Sequence, residues 1–117
     1  MKCNLLKDID IKLIKEFTHN KQDLIISTLH LFSEDLINAQ KNLTIAYIND
    51  DIKKLKFITH RIKSNMHLLG LNELGKLCDE IAKKNISTDE IKELCNSIFK
   101  SIPFILDSIE IELKKWE

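Results

Sequence analysis

Hydrophobic residues return at alternating steps of four and three over residues 25–46. Steps of this size place side chains on one side of a helix, so the pattern predicts a long amphipathic helix that ends near Ile48. We expect Asn20 to cap its start, with Asp23 in its first turn. The residues predicted to face the core are Ile25, Leu29, Phe32, Leu36, Ala39, Leu43 and Ala46.

A second hydrophobic line follows the same helix to one side, through Leu24, Leu31 and Ile45. This line is too apolar for a fully solvated face. We expect it to pack against a shorter helix over about residues 8–18, with a part left exposed as a docking surface. The apolar stripe of that shorter helix consists of Ile9, Leu13, Ile14 and Phe17.

Two further helices are predicted in the second half of the chain. One covers about residues 72–84, and Gly75 in its first turn is expected to allow a close helix contact. The other starts behind a capping box of Ser87 and Glu90 and contains Pro103, so we expect a kink near residues 99–102. The predicted inward residues of the two helices are Leu74, Leu77, Cys78 and Ile81, then Ile91, Leu94, Cys95, Ile98, Ile102, Ile105, Ile109 and Leu113.

The remaining helix, over about residues 52–70, divides into an apolar and a basic face. Asn49 or Asp50 is expected to cap its start, and Gly70 to end it in a left-handed conformation. The apolar face consists of Leu55, Ile58, Ile62, Met66 and Leu69. The opposite face carries Lys53, Lys56, His60, Lys63, Ser64 and His67.

The chain has two glycines and one proline in 117 residues. So low a content of helix breakers favours long helices, and short connections make neighbouring helices pack antiparallel. The predicted fold is therefore all-α: an antiparallel four-helix bundle with a short additional N-terminal helix. We expect a single domain over residues 1–117.

Charge and cysteine content narrow the class of protein. The formal net charge is zero, so no overall field attracts nucleic acid or a membrane surface. The N-terminal segment is charged too early for a signal peptide, and no apolar run could cross a bilayer, so we expect no membrane insertion and a cytoplasmic location. Cys3, Cys78 and Cys95 are widely separated and predict neither disulfides nor a metal site.

His60 is the candidate chemical group of this chain. Helical geometry points it about 160–180° away from the apolar stripe, so its ring stands in water. A solvated imidazole is a nucleophile near neutral pH, and Lys56 and Lys63, one turn to either side, supply a positive field that suits a phosphoryl group. From the pattern alone, a plain surface histidine on a basic helix face remains the alternative.

Residues 60–77 resemble the signature of the histidine phosphotransfer (HPt) domains of bacterial multistep phosphorelays. In that signature a histidine precedes any residue, Leu or Ile, Lys and Gly, and then come an apolar residue with Gly and the leucines of the next helix. The matching positions here are His60, Lys63, Leu69, Gly70, Leu74 and Leu77. Ser64 departs from the pattern, because it stands where the family usually has glycine at this point of close approach.

The resemblance implies a phosphoryl carrier and not an enzyme. His60 would accept the group from an aspartyl phosphate on one receiver domain and pass it to another, while Lys63 stabilises the charge on the transferring oxygens. The chain has no ATP-binding motif and needs no cofactor of its own, because the Mg²⁺ is expected on the receiver. The implied docking residues are Lys53, Lys56, Phe57, His67 and Leu68.

Response-regulator receiver domains are the implied partners, a hybrid sensor histidine kinase is a further candidate, and we expect a monomer. Two other classes of function stay open. The chain could be an HPt-like adaptor that binds a receiver without accepting phosphate, with Ser64 as a sign of drift. It could also be a structural bundle with an accidental resemblance, which a buried His60 and a failure to bind receivers would indicate.

Overall fold

The computed structural model describes residues 8–117, and this part of the chain is helical and contains no strand. Its helices are α1 (Lys12–Phe17), α2 (Gln22–Ile48), α3 (Ile52–Leu68), α4 (Asn72–Ile81) and α5 (Thr88–Trp116). The prediction of an all-α fold is therefore confirmed. Cys3 lies outside the described residues.

The two longest helices build most of the core, as their hydrophobic spacing predicts. All seven predicted core residues of α2 are buried, and in α5 only Leu94 is partly exposed, while still packing against the core. α2 packs against both α3 and α5, and α3 and α4 also contact each other and α5. The apolar faces of α2–α5 therefore share one core.

Three of the helices end with the same backbone device, a residue with positive φ directly after the last turn. These residues are His19 at 54°, Asp50 at 53° and Gly70 at 74°. At each end, the next residue donates its N–H to the carbonyl five positions back, which is the Schellman arrangement. The donor–acceptor pairs are Asn20–Lys15 at 2.8 Å, Asp51–Ala46 at 2.9 Å and Leu71–Met66 at 2.8 Å.

The predictions for the helix caps hold in part. Asn20 does not cap α2; its φ of 60° and its bond to Lys15 make it the end of α1, because asparagine tolerates the left-handed region. The cap of α3 is Asp51, which accepts the N–H of Lys54 at 3.2 Å, and not Asn49 or Asp50. At α5, Ser87 accepts the N–H of Glu90 at 3.1 Å, as predicted.

The N-terminal helix is shorter than predicted, because residues 8–11 are not helical. Asp10 donates its N–H to the carbonyl of Leu69 at 2.8 Å, so this segment crosses the turn between α3 and α4. The apolar stripe shifts accordingly: Ile11 and Ile14 are buried, whereas Leu13 and Phe17, predicted to face inward, are 45% and 51% exposed.

The line of Leu24, Leu31 and Ile45 lies largely on the surface, with the three side chains 44–55% exposed. The six-residue α1 contacts α2 but is too short to follow it along its length. The exposed part of the line is therefore longer than expected.

The molecule is elongated, with principal extents of 43 × 23 × 23 Å, because α2 and α5 extend beyond α3 and α4. α5 continues without a break through Pro103, and this proline is exposed. α4 ends at Ile81, three residues before the predicted end. Among the helices of residues 8–117, none combines the length and the apolarity needed to cross a bilayer.

Candidate functional site

His60 lies near the middle of α3, and its side chain is exposed. The residues on the opposite side of this helix, among them Leu55, Ile58 and Ile62, are buried in the core. Burial of that side fixes the helix, and the 100° rotation per residue then directs His60 outward. The location predicted from the sequence is therefore the observed one.

A line of four residues on α3, spaced by four, three and four, runs beside α4: Lys56, His60, Lys63 and His67. Lys56 donates from Nζ to the carbonyl of Lys83, just past the end of α4, at 3.4 Å. Lys63 and His67 also contact α4, through Asp79 and Gly75. His60 is thus flanked on its own line by two lysines, one bonded to α4 and the other to the segment that follows it.

Lys63 forms an ion pair with Asp79 of α4. The hydrogen bond from Lys63 holds the pKa of the Asp79 carboxyl below its ordinary value, and the positive charges of Lys63 and His67 act in the same direction. Asp79 is consequently ionised at neutral pH and neutralises the lysine one turn from His60. The positive field expected at His60 is therefore weaker than the sequence of α3 suggests.

Gly75 makes room for the ring of His67. A Cβ atom at this position would lie 2.6 Å from Cε1 and 2.9 Å from Nε2 of the imidazole. The close contact expected at Gly75 is present, and a side chain of α3 makes it. His67 is half-buried, so only part of the ring stays open to a partner.

A surface groove runs along the other side of α3, between this helix and α2. Phe57, 55% exposed, borders it together with Arg61 and Lys54. At its floor, the buried Asn65 donates from Nδ2 to Oδ2 of Asp35 at 3.3 Å. The groove therefore offers an aromatic face and two cations close to the line that carries His60.

The other candidate residues differ in how accessible they are. Lys53 and Ser64 are exposed, whereas Leu68 is partly buried and packs against the core. Gly70 has the predicted left-handed conformation, and a Cβ there would lie 2.8 Å from Cβ of Asp10. The structure thus brings His60, Lys56 and Lys63 onto one line and leaves Leu68 as a weaker docking candidate.

The cysteines of the described region are buried and not poised for chemistry. Burial raises the pKa of the Cys78 thiol to about 12 and that of the Cys95 thiol to about 11. A thiol with so high a pKa is a poor nucleophile. Within residues 8–117, no three His, Cys, Asp or Glu side chains come together as metal ligands.

Asp79 is the site residue that the sequence reasoning missed. The α3–α4 hairpin gives the signal that could have found it: His67 meets Gly75, so a residue four positions earlier in α3 meets one four positions later in α4. That rule pairs Lys63 with Asp79, but it requires the hairpin register, which no pattern within one helix provides.

Comparison with known proteins identifies no relative of this chain. No protein-family model, curated protein or solved structure matches the chain.

Proposed function

We propose that this chain is a phosphoryl carrier of the HPt kind, with His60 as the residue that accepts the phosphoryl group. The observation that supports this most is the exposed His60 on a helix whose opposite side is buried, with Lys56 and Lys63 on the same line. An outward nucleophile on a fixed helix is what transfer between two proteins requires. The chemistry would take place in the cytoplasm, on a monomer.

The fold that belongs to this proposal is an antiparallel four-helix bundle of α2–α5, with α1 as the short additional helix. Two contacts between helices support this arrangement: the side chain of Asn65 in α3 meets that of Asp35 in α2, and the side chain of Gln22 at the start of α2 meets the carbonyl of Trp116 at the end of α5. Such a bundle holds α3 by its apolar face, so that a partner can press against the other face without deforming it.

The transfer is an in-line displacement at phosphorus. The lone pair of an unprotonated imidazole nitrogen of His60 forms the N–P bond, while the P–O bond to the receiver's aspartate breaks and its electrons return to the carboxylate. In this step Lys63 leaves Asp79 and approaches the transferring oxygens. The Mg²⁺ that assists the step belongs to the receiver.

Phosphotransfer from a labelled receiver tests the assignment. The protein is incubated with a receiver that carries a ³²P-labelled aspartyl phosphate and Mg²⁺, and the label on the chain is then followed in acid and in alkali. We expect label that is lost in acid and survives alkali, as an N–P bond requires, and none on His60→Gln. His30→Gln, an exposed histidine of α2, is the matched control and should keep the label. Equal labelling of wild type and His60→Gln would contradict the assignment.

An adaptor that binds a receiver without accepting phosphate is the second candidate. The ion pair of Lys63 with Asp79 favours it, because that pair removes net positive charge from beside His60. Ser64, in the position where the family usually has glycine, points the same way. A receiver that binds the chain in calorimetry and transfers no label to His60 would identify the adaptor.

The third class, a structural bundle with an accidental resemblance, loses one of its two conditions, because His60 is exposed. Its other condition is that no receiver binds. A panel of receiver domains from the same organism, tested for binding and for transfer together, separates all three classes.

A further inference from the structure

We propose that Asp79 is a positioning residue that shortens the time for which His60 keeps a phosphoryl group, by competing with that group for Lys63. The inference rests on the proposed function in one respect, that His60 can be phosphorylated. It goes beyond that function by assigning to a residue of α4 the balance between accepting and releasing the group.

The register of the α3–α4 hairpin brings the competitor to this place. Gly70 turns the chain, and the ring of His67 packs over Gly75, where no Cβ stands in its way. One turn further from the hairpin, Asp79 then faces Lys63 and forms its ion pair. The position of the carboxylate is therefore fixed by packing between the two helices and does not depend on a flexible loop.

The two lysines beside His60 differ in what holds them. Lys56 contacts a neutral acceptor, the carbonyl of Lys83, so its charge is retained. Lys63 contacts a carboxylate, so the two charges cancel. Of these two lysines, only Lys63 is paired with an anion of the chain, which would compete with a phosphoryl group for it.

A phosphoryl group on His60 would upset this pair. The group carries roughly −1.5 to −2 charges at neutral pH, so it attracts Lys63 more strongly than a carboxylate does. As long as Asp79 holds Lys63, the positive charge of that lysine is shared between the carboxylate and the phosphoryl oxygens. Releasing one unit charge to a dianion in a water-like medium changes the stability of the phosphohistidine by about three- to tenfold.

Phosphoramidate, a small-molecule donor, allows a test without a receiver. The lone pair of the His60 nitrogen forms the N–P bond as the donor's P–N bond breaks and ammonia leaves. The charged or titratable side chains on the line of His60 are Lys56, Lys63 and His67, Arg61 follows it directly, and Asp79 joins them from α4. Each variant changes only the residue it names. Asp79→Asn removes the carboxylate charge with little change in shape. Glu73→Gln is the matched control, because Glu73 is also an exposed acid of α4 that pairs with a lysine, Lys76.

Two readouts by ³¹P NMR separate this role from a structural one. We expect the phosphohistidine signal of Asp79→Asn to decay about three- to tenfold more slowly than in wild type. We also expect the pH midpoint of its chemical shift to fall, because Lys63 then stays with the dianion. Glu73→Gln should match wild type in both. In a Lys63→Gln background, Asp79→Asn should change the decay less than twofold, since most of the competition is gone.

Equal decay rates and equal midpoints in wild type and Asp79→Asn would overturn the proposal, and so would a folded protein whose His60 phosphoramidate leaves unmodified. The receiver experiment remains separate. If phosphoramidate shows the Asp79 effect and no receiver labels His60, the role of Asp79 stands and the phosphorelay function falls. If receivers label His60 and Asp79→Asn behaves as wild type, the reverse holds.

Discussion

Ser64 is the residue at which the chain departs from the HPt pattern that it otherwise resembles, and its exposed position on α3 makes the proposed function testable there. Ser64→Gly removes a Cβ and a hydroxyl one turn beyond His60, so a receiver can approach more closely. We expect transfer from a receiver to be unchanged or faster. Glycine in a helix costs roughly 0.5 kcal/mol relative to serine, which leaves folding intact.

The rate of label transfer at saturating receiver is the measurement for Ser64→Gly, and Ser64→Ala is its control, because alanine keeps the Cβ and loses only the hydroxyl. A large loss of rate in both variants would show that the hydroxyl itself takes part, as a donor to the phosphoryl group. A loss in the glycine variant alone would point to a weakened helix.

The buried cysteines make stability fall at alkaline pH. Burial raises the pKa of Cys78 from 9.0 to about 12, so the unfolded chain loses this proton first and binds fewer protons than the folded one. Stability is therefore full below pH 9 and declines as the pH rises toward 12. At pH 10.5 the loss from Cys78 is about 2 kcal/mol, and Cys95 adds a similar loss.

Urea denaturation under reducing conditions at pH 8 and pH 10.5 measures this effect. In Cys78→Ala the fall between the two pH values should be smaller than in wild type by about 2 kcal/mol. Ile98→Val, a buried change without a titrating group, should lower the free energy of unfolding equally at both pH values. The same fall in Cys78→Ala as in wild type would show that this thiol titrates normally in the fold.

At the scale of the elements, the two glycines of the α3–α4 hairpin have different structural roles. Gly70 has a φ of +74°, and a Cβ there would meet Asp10; Gly75 is helical, and a Cβ there would meet only the movable ring of His67. We expect Gly70→Ala to cost about 2 kcal/mol or more, because strain and collision add. Gly75→Ala should change stability by less than about 1 kcal/mol, because the helix propensity of alanine offsets the displaced ring.

The midpoint of urea denaturation compares the two variants, which add the same atom to the same hairpin. Similar losses would mean that the ring of His67 cannot move aside. An unchanged midpoint for Gly70→Ala would mean that the segment around Asp10 yields and that the turn is not fixed by its left-handed residue.

The helices that the sequence predicts best are those whose side chains meet the core at every turn. In α2 the spacing of Ile25, Leu29 and Phe32 is set by burial alone, so pattern and structure agree. The predicted start of the first helix is wrong, because residues 8–11 are held by a backbone hydrogen bond from Asp10 to Leu69. That bond joins parts of the chain far apart in sequence, and hydrophobic spacing carries no information about it.

The candidate site likewise has one part that a single helix determines and one part that depends on contacts between helices. The outward direction of His60 follows from the rotation of one helix, so the sequence predicts it. The partner of Lys63 comes from α4, and Asp79 could not be found without the hairpin register. The helix caps are also hard to predict. In a short turn, residues such as Asn20 and Asp51 can end the helix before it or cap the helix after it, and residue propensity does not decide between the two.

At the scale of the whole molecule, charge is balanced, with 18 basic and 18 acidic residues. A molecule without net charge attracts no partner from a distance, so steering depends on local clusters. Within residues 8–117, the ion pairs of the structure involve Lys63 but leave Lys53 and Lys56 without a carboxylate. On the face of α3 that carries His60, the lysines without a carboxylate therefore lie on the N-terminal side. Under the proposed function, an acidic receiver should meet this half of α3 first.

Reversing one of these charges tests the direction of approach. Lys53→Glu should slow association with an acidic receiver by about three- to tenfold at low ionic strength, measured by stopped flow. The difference should fade at about 0.5 M salt, where screening acts over a few ångströms. Lys100→Glu, an exposed lysine of α5, makes the same change in net charge and should leave the rate almost unaltered. If both variants slow association equally, net charge and not the cluster guides the partner; if the Lys53 effect persists in salt, Lys53 touches the partner directly.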